Sequence, residues 1–116
     1  MDDKKYDLEN RTLEFSKRIL KLVKTLPKDD INKCYSNQII RSGSSVGANY
    51  REANDALGKK DFVHRMKIAR KEAKETTYWL ELIKEHNIIL ASRMKLLLQE
   101  SIEITKILSA IISKSE

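Results

Sequence analysis

The chain has only two histidines, which limits the chemistry it can do. Asp61 and His64 stand three residues apart, one helical turn, and a carboxylate and a histidine at that spacing are part of how diiron helical bundles hold metal. Such a site needs the motif twice and two further glutamates. His86 has Ile83 in the matching position, so no metal site and no cofactor are expected. Asp61 reads instead as a first-turn carboxylate facing a helix dipole, and His64 as a polar surface residue. Some helical ribonucleases place an arginine four to six residues before a histidine. Here Gly58, Lys59 and Lys60 precede His64, and Leu80, Glu81 and Leu82 precede His86. Cys34 is alone and has no sequence neighbour that would activate it as a nucleophile. Glu52, Glu72, Glu75, Glu81 and Glu85 read as solvated or ion-paired helix carboxylates, and a polar network of Arg41, Asn49, Arg51 and Glu81 between helices is one arrangement they allow. No catalytic residue is assigned, and the chain reads as a non-enzyme.

Cations make the stronger pattern. Lys17, Lys21, Lys24 and Lys28 fall on one line at helical spacing. Lys60, His64, Lys67, Lys71 and Lys74 fall on another, with Lys59, Arg65 and Arg70 adjacent. Rows like these can follow a phosphate backbone, with binding driven largely by counterion release. The net charge of +6 suits an acidic partner. RNA or DNA is therefore the first candidate partner. A protein partner, with the charge serving only solubility, is the alternative, because most charge rows are solvated helix faces. Nothing resembles a base-reading module, and Trp79 reads first as a helix-packing or subunit contact.

The elements that must carry these rows are helices. One proline and three glycines interrupt 116 residues, and no alternating run is bounded by hairpin turn residues. Leu8, Thr12, Phe15, Ile19, Leu22 and Leu26 form one buried stripe, closed by Pro27. A second helix runs from a cap at Asp29 or Asp30 to Leu57, with Gly58 marking the turn. A third starts near Lys59, buries Phe62, Met66, Ala69, Ala73, Leu80 and Ile83, and frays at His86–Asn87. A fourth starts at Ser92, a candidate cap, with Met94, Leu97, Ser101, Ile104, Leu108 and Ile111 on one face. Short connections predict an all-α, antiparallel up-down-up-down four-helix bundle, one domain over residues 1–116. The charged start Met1-Asp-Asp-Lys-Lys-Tyr6 is no signal peptide, and no window is apolar enough for a membrane span. With a lone cysteine, the expected location is the cytoplasm.

The segment Arg41-Ser-Gly-Ser-Ser-Val-Gly-Ala-Asn-Tyr-Arg-Glu-Ala53 has the composition of a loop but the period of a helix. Tyr35, Ile39, Ser42, Val46, Tyr50, Ala53 and Leu57 recur at steps of three and four. Gly43 and Gly47, four apart, let another helix come close, at a propensity cost of roughly 1 kcal/mol each. It is no phosphate loop: no Gly-Lys-Ser/Thr closes it and no strand precedes it. Helix four carries a second apolar stripe, Leu98, Ile102 and Ile112. These small residues and this surplus apolar surface predict packing beyond one chain, with Gly43, Val46, Gly47, Trp79, Leu98 and Ile102 as helix-packing or oligomer contacts.

That segment also resembles the signature of the bacterial four-helix-bundle proteins first noticed in intervening sequences of 23S rRNA genes. Asp61-Phe-Val-His-Arg-Met-Lys-Ile-Ala-Arg-Lys-Glu-Ala-Lys-Glu-Thr-Thr-Tyr-Trp-Leu-Glu-Leu-Ile83, the closing Ile107-Leu-Ser-Ala-Ile-Ile112 and Leu26-Pro27 agree with it. The resemblance implies a four-helix bundle and a homo-oligomeric ring, commonly a pentamer. A similar bundle serves diversity-generating retroelements as an accessory protein that binds nucleic acid and a reverse transcriptase. In a ring each lysine row would be repeated, turning modest affinity into avidity.

Overall fold

The computed structural model describes residues 3–116, with side chains from residue 7 onward. Four helices follow one another: α1 Asp3–Thr25, α2 Asp30–Asn54, α3 Lys59–His86 and α4 Ala91–Ser115. A single 3₁₀ turn, Ile88–Leu90, leads into α4. They form an antiparallel up-down-up-down bundle, 45 × 22 × 20 Å, in which each helix packs on its two neighbours around a square. No Cα of α1 comes within 8 Å of one in α3, nor of α2 with α4, so these pairs are diagonal. The α2–α3 seam is the closest and the α1–α4 seam the loosest.

Three boundaries depart from the periodic pattern. Helix α1 begins at Asp3 rather than near Leu8, because its charged lead-in carries no apolar stripe by which periodicity could mark it. Helix α2 stops at Asn54, not Leu57. There the amide of Ala56 turns to the Ala53 carbonyl, and the Asn54 side chain is held 2.9 Å from Glu9 of α1. Leu57, expected on the buried face, is fully exposed. Helix α4 begins with Leu90 at its cap position, so Ser92 lies inside the helix rather than capping it. Asp29 does cap α2, accepting from the amide of Asn32 at 2.7 Å.

The core is built from the predicted stripes: Phe15 and Ile19, Ile39 and Val46, Met66 and Leu80, and Met94, Ile104 and Leu108 are at most 1% exposed. On α4 the stripe shifts by one residue at its end. Ile112 is buried and Ile111 only half-buried, which reverses the expectation for that pair. Leu98 is half-buried against the core, and Ile102 is left exposed.

Two polar arrangements tie the helices at fixed points. At the end where α1 meets α2, Asn32 and Asn87 are both buried and exchange side-chain amide hydrogen bonds of 3.0 and 2.8 Å. Their remaining donors reach the carbonyls of Pro27 and Ile83. Beside them, His86 stands 3.1 Å from Asp29. Hydrogen bonds from Asn32 and then from His86 hold the Asp29 carboxyl below the ordinary carboxylate range.

The second is the α1–α2 seam. A methyl on Gly43 would lie 2.5 Å from Cδ1 of Ile19, and one on Gly47 would lie 2.9 Å from Oγ1 and 3.2 Å from Cβ of Thr12. The Ser16 hydroxyl donates across this seam to the Gly43 carbonyl at 3.0 Å. The close approach that the glycines permit is thus made within the chain, by α1. Gly43, Val46 and Gly47 are all buried within the chain, where they act as helix-packing residues, the first of the two roles expected for them. The two glycines differ in what they meet. Ile19 can swing its terminal methyl away, but Thr12 is branched at Cβ and stiff. Gly43→Ala is therefore expected to be near neutral in urea unfolding. Gly47→Ala is expected to lose about 1 kcal/mol net, since overpacking of roughly 1–3 kcal/mol outweighs the gain in helix propensity. Equal stability of the two variants would contradict this seam.

Candidate nucleic-acid surfaces

The α2 signature faces two helices at once. Its glycines meet α1, while Arg41 and Ser42 meet α3. The Arg41 guanidinium donates to Glu72 at 3.0 Å and is paired with Glu75. Thr76 donates to the Ser42 hydroxyl at 2.9 Å. Glu75 also accepts from the Trp79 indole at 2.9 Å. Trp79 leans on Tyr35 of α2, with ring centroids 6.0 Å apart, and meets the edge of Tyr78 at 5.4 Å. Trp79 is thus a contact of the α2–α3 seam, whereas Tyr78 is exposed. The inter-helix network expected from Arg41, Asn49, Arg51 and Glu81 takes a different form. Arg41 uses Glu72 and Glu75, Asn49 donates to the Ser45 carbonyl, and Arg51 and Glu81 are exposed.

The α3 cations divide into two groups. Lys59, Lys60 and Lys67 surround a hollow of about 570 Å³ with His64, and Lys67 pairs at 3.1 Å with Glu116, just past the end of α4. Arg70, Lys71 and Lys74 have no ion pair among the described residues. The acids that share their helix are engaged elsewhere: Asp61 with Arg65 at 3.7 Å, and Glu72 and Glu75 with Arg41. Asp61 therefore partners a cation rather than His64. Among the described residues no three His, Cys, Asp or Glu side chains are grouped as metal ligands.

The α1 row is more scattered. Lys17 pairs with Glu14 at 3.2 Å. Lys24 lines a hollow at the α1–α2 turn together with Asp29 and Asp30. Lys21 lines a separate groove against α4 with Arg18 and Arg93. Because α1 and α3 are diagonal, the exposed rows of Lys17, Lys21, Lys24 and of Lys60, Lys71, Lys74 point away from each other. One straight duplex cannot lie along both. Lower in the α1–α4 seam, Arg11 donates to Glu100 at 2.8 and 2.7 Å and to Glu103 at 3.1 Å. The hydrogen bond that Arg11 donates to Glu100 is the largest cause raising the Arg11 pKa, and burial opposes it. Arg18 and Arg93 escaped the sequence analysis, since only the helix register across that seam shows them together.

The sequence model of the 23S rRNA-intervening sequence proteins matches residues 4–110. The chain belongs to that family. Among solved structures, it is similar to a protein of unknown function from the S23 ribosomal protein family of Bacteroides thetaiotaomicron. The two are 42% identical and superpose with a TM-score of 0.82, over 90% of this chain and 96% of the other. No curated protein matches. No helix among the described residues is long and apolar enough to cross a membrane. In this family member the signature residues Arg41, Ser42, Gly43 and Gly47 are engaged in helix packing, and they hold the bundle together.

Glu72 is nearly buried and depends on Arg41 for its charge partner. Arg41→Ala is expected to lower stability by about 1–3 kcal/mol, the penalty for leaving a buried acceptor unpaired. Adding Glu72→Gln is expected to recover part of that loss. A double-mutant cycle in urea measures the coupling, and strict additivity would show the pair to be idle.

Proposed function

We propose that the protein is a non-catalytic, self-associating helical bundle that binds structured RNA, or another nucleic acid, along the outer edge of α3. One observation carries the reading: Arg70, Lys71 and Lys74 stand together without acid partners while the neighbouring acids of α3 are engaged with Arg41 and Arg65. The row from Lys60 to Lys74 runs about 21 Å along the helix, room for several phosphate contacts. The family takes its name from intervening sequences of 23S rRNA, and this reading draws support from that link to RNA. On this reading the protein works in the cytoplasm. A protein partner in place of nucleic acid is the alternative, and salt separates the two.

The test is binding to a structured RNA and a duplex DNA across a salt series. Affinity is expected to fall linearly with salt on logarithmic axes, with a slope of roughly 0.7–0.9 per phosphate contact. Lys71→Glu with Lys74→Glu is expected to weaken binding at least tenfold and to flatten that slope, with the melting temperature kept. Binding unchanged by the double reversal, or none even at low salt, would reject this surface.

Self-association is supported by large apolar residues left outside. Leu20 and Ile40 are exposed around a shallow groove on the α1–α2 face, and Leu13 on α1 and Ile102 on α4 are exposed as well. We take the occupant of the α1–α2 face to be a second copy of this chain, with five copies as the number that the family resemblance implies. Light scattering at high micromolar concentration is expected to give a multiple of 13.5 kDa, lowered by Leu20→Lys with Ile40→Lys. A wild-type monomer would overturn this.

A further inference from the structure

The α1–α4 seam treats its two halves differently. In one half, Arg11 meets Glu100 and Glu103. One heptad on along α1 is Arg18, and one heptad back along antiparallel α4 from Glu100 is Arg93. The register that joins an arginine to a carboxylate thus repeats with arginine facing arginine. Arg18 and Arg93 line one open groove of about 400 Å³, and Lys21 joins them. No acid lines it, and none of the three cations has an ion pair or hydrogen bond among the described residues. Its floor is apolar: Leu22, Leu90 and Leu97.

Folding alone does not explain this convergence. Three like charges facing one groove repel one another, and a carboxylate at either arginine position would relieve them, as Glu100 does for Arg11. An anion placed among them turns the cost into attraction. Guanidinium groups suit phosphate oxygens, which they can grip in bidentate fashion. The leucine floor would cover a flat or apolar body attached to that phosphate. The volume falls in the range of small-molecule sites, about 300–1,000 Å³.

We propose that this groove is a binding site for a phosphate ester carrying a nucleoside-sized body, its phosphate held by Arg18, Lys21 and Arg93 and its body resting on Leu22, Leu90 and Leu97. The same chemistry is offered by a free nucleotide and by the phosphorylated end of a strand. The site is independent of the α3 row and stands on a different seam of the bundle.

Adenosine monophosphate, adenosine and inorganic phosphate are titrated against the full chain at low salt by calorimetry and by melting temperature. The monophosphate is expected to bind at least tenfold more tightly than either fragment and to raise the melting temperature. Arg93→Gln is expected to weaken that binding at least tenfold while leaving the free protein as stable as wild type or more so, because it removes a repulsion. This second readout keeps a folding defect from being mistaken for loss of a site. Lys71→Glu with Lys74→Glu is expected to bind the monophosphate as wild type does, which separates failure of this site from failure of the α3 surface. A short oligoribonucleotide with and without its 5′ phosphate then distinguishes the sources: binding well above that of the monophosphate and lost with the phosphate points to a strand end, and equal binding points to a free nucleotide. No response to the monophosphate at millimolar concentration, adenosine binding as well as the monophosphate, or monophosphate binding that survives Arg93→Gln would each overturn the proposal.

Discussion

The distance between α1 and α2 at Gly47 is the constraint on which the bundle depends. With no Cβ there, Thr12 settles against the backbone of α2 and Ser16 reaches the carbonyl of Gly43. That brings α1 close enough for Phe15 and Ile19 to be sealed from solvent. The same helix turns Arg41 and Ser42 to α3, where they find Glu72, Glu75 and Thr76. One segment of α2 therefore sets two of the four seams, one through the absence of side chains and one through charge. Its loop-like composition inside a helix is explained by architecture.

Much of this fold was legible because buried stripes recur every three or four residues. Phe15, Ile19, Met66, Leu80 and Ile104 fall where the period puts them. Boundaries were less legible. Asp3 to Asp7 is helical without an apolar stripe, and Leu57 matched the period although α2 had already ended. Period describes a face and cannot say where the backbone stops obeying it. The start of α4 was hidden by the 3₁₀ turn, whose Ile88 and Ile89 look like core residues and are exposed. Ser92 looked like a cap because serine caps helices in general.

The candidate sites depend on relations across the chain, and a single sequence carries these only weakly. The lysine rows were visible, but not that α1 and α3 are diagonal, nor that Lys17 and Lys67 meet carboxylates while Lys71 and Lys74 meet none among the described residues. The glycine spacing announced close packing without naming the partner helix. Arg18 and Arg93 are 75 residues apart by number, and the register that unites them shows in the Arg11–Glu100 pair and in the groove they both line. Charges at helical spacing show a face, and their neighbours decide whether it is free to bind.

The reciprocal amides of Asn32 and Asn87 bear on the uniqueness of this arrangement. Apolar contacts alone along α2 and α3 would tolerate a slide of one helical turn, since one apolar side chain replaces another with modest loss. The two carboxamides would not. Each satisfies the other's carbonyl and also spends a donor on a backbone carbonyl near its own helix end, so a displacement of about 5.4 Å would strand both inside a dry contact. The pair acts as a vernier lock. It adds little to the attraction between helices and removes the alternatives, much as a lone buried asparagine selects one alignment in a coiled coil.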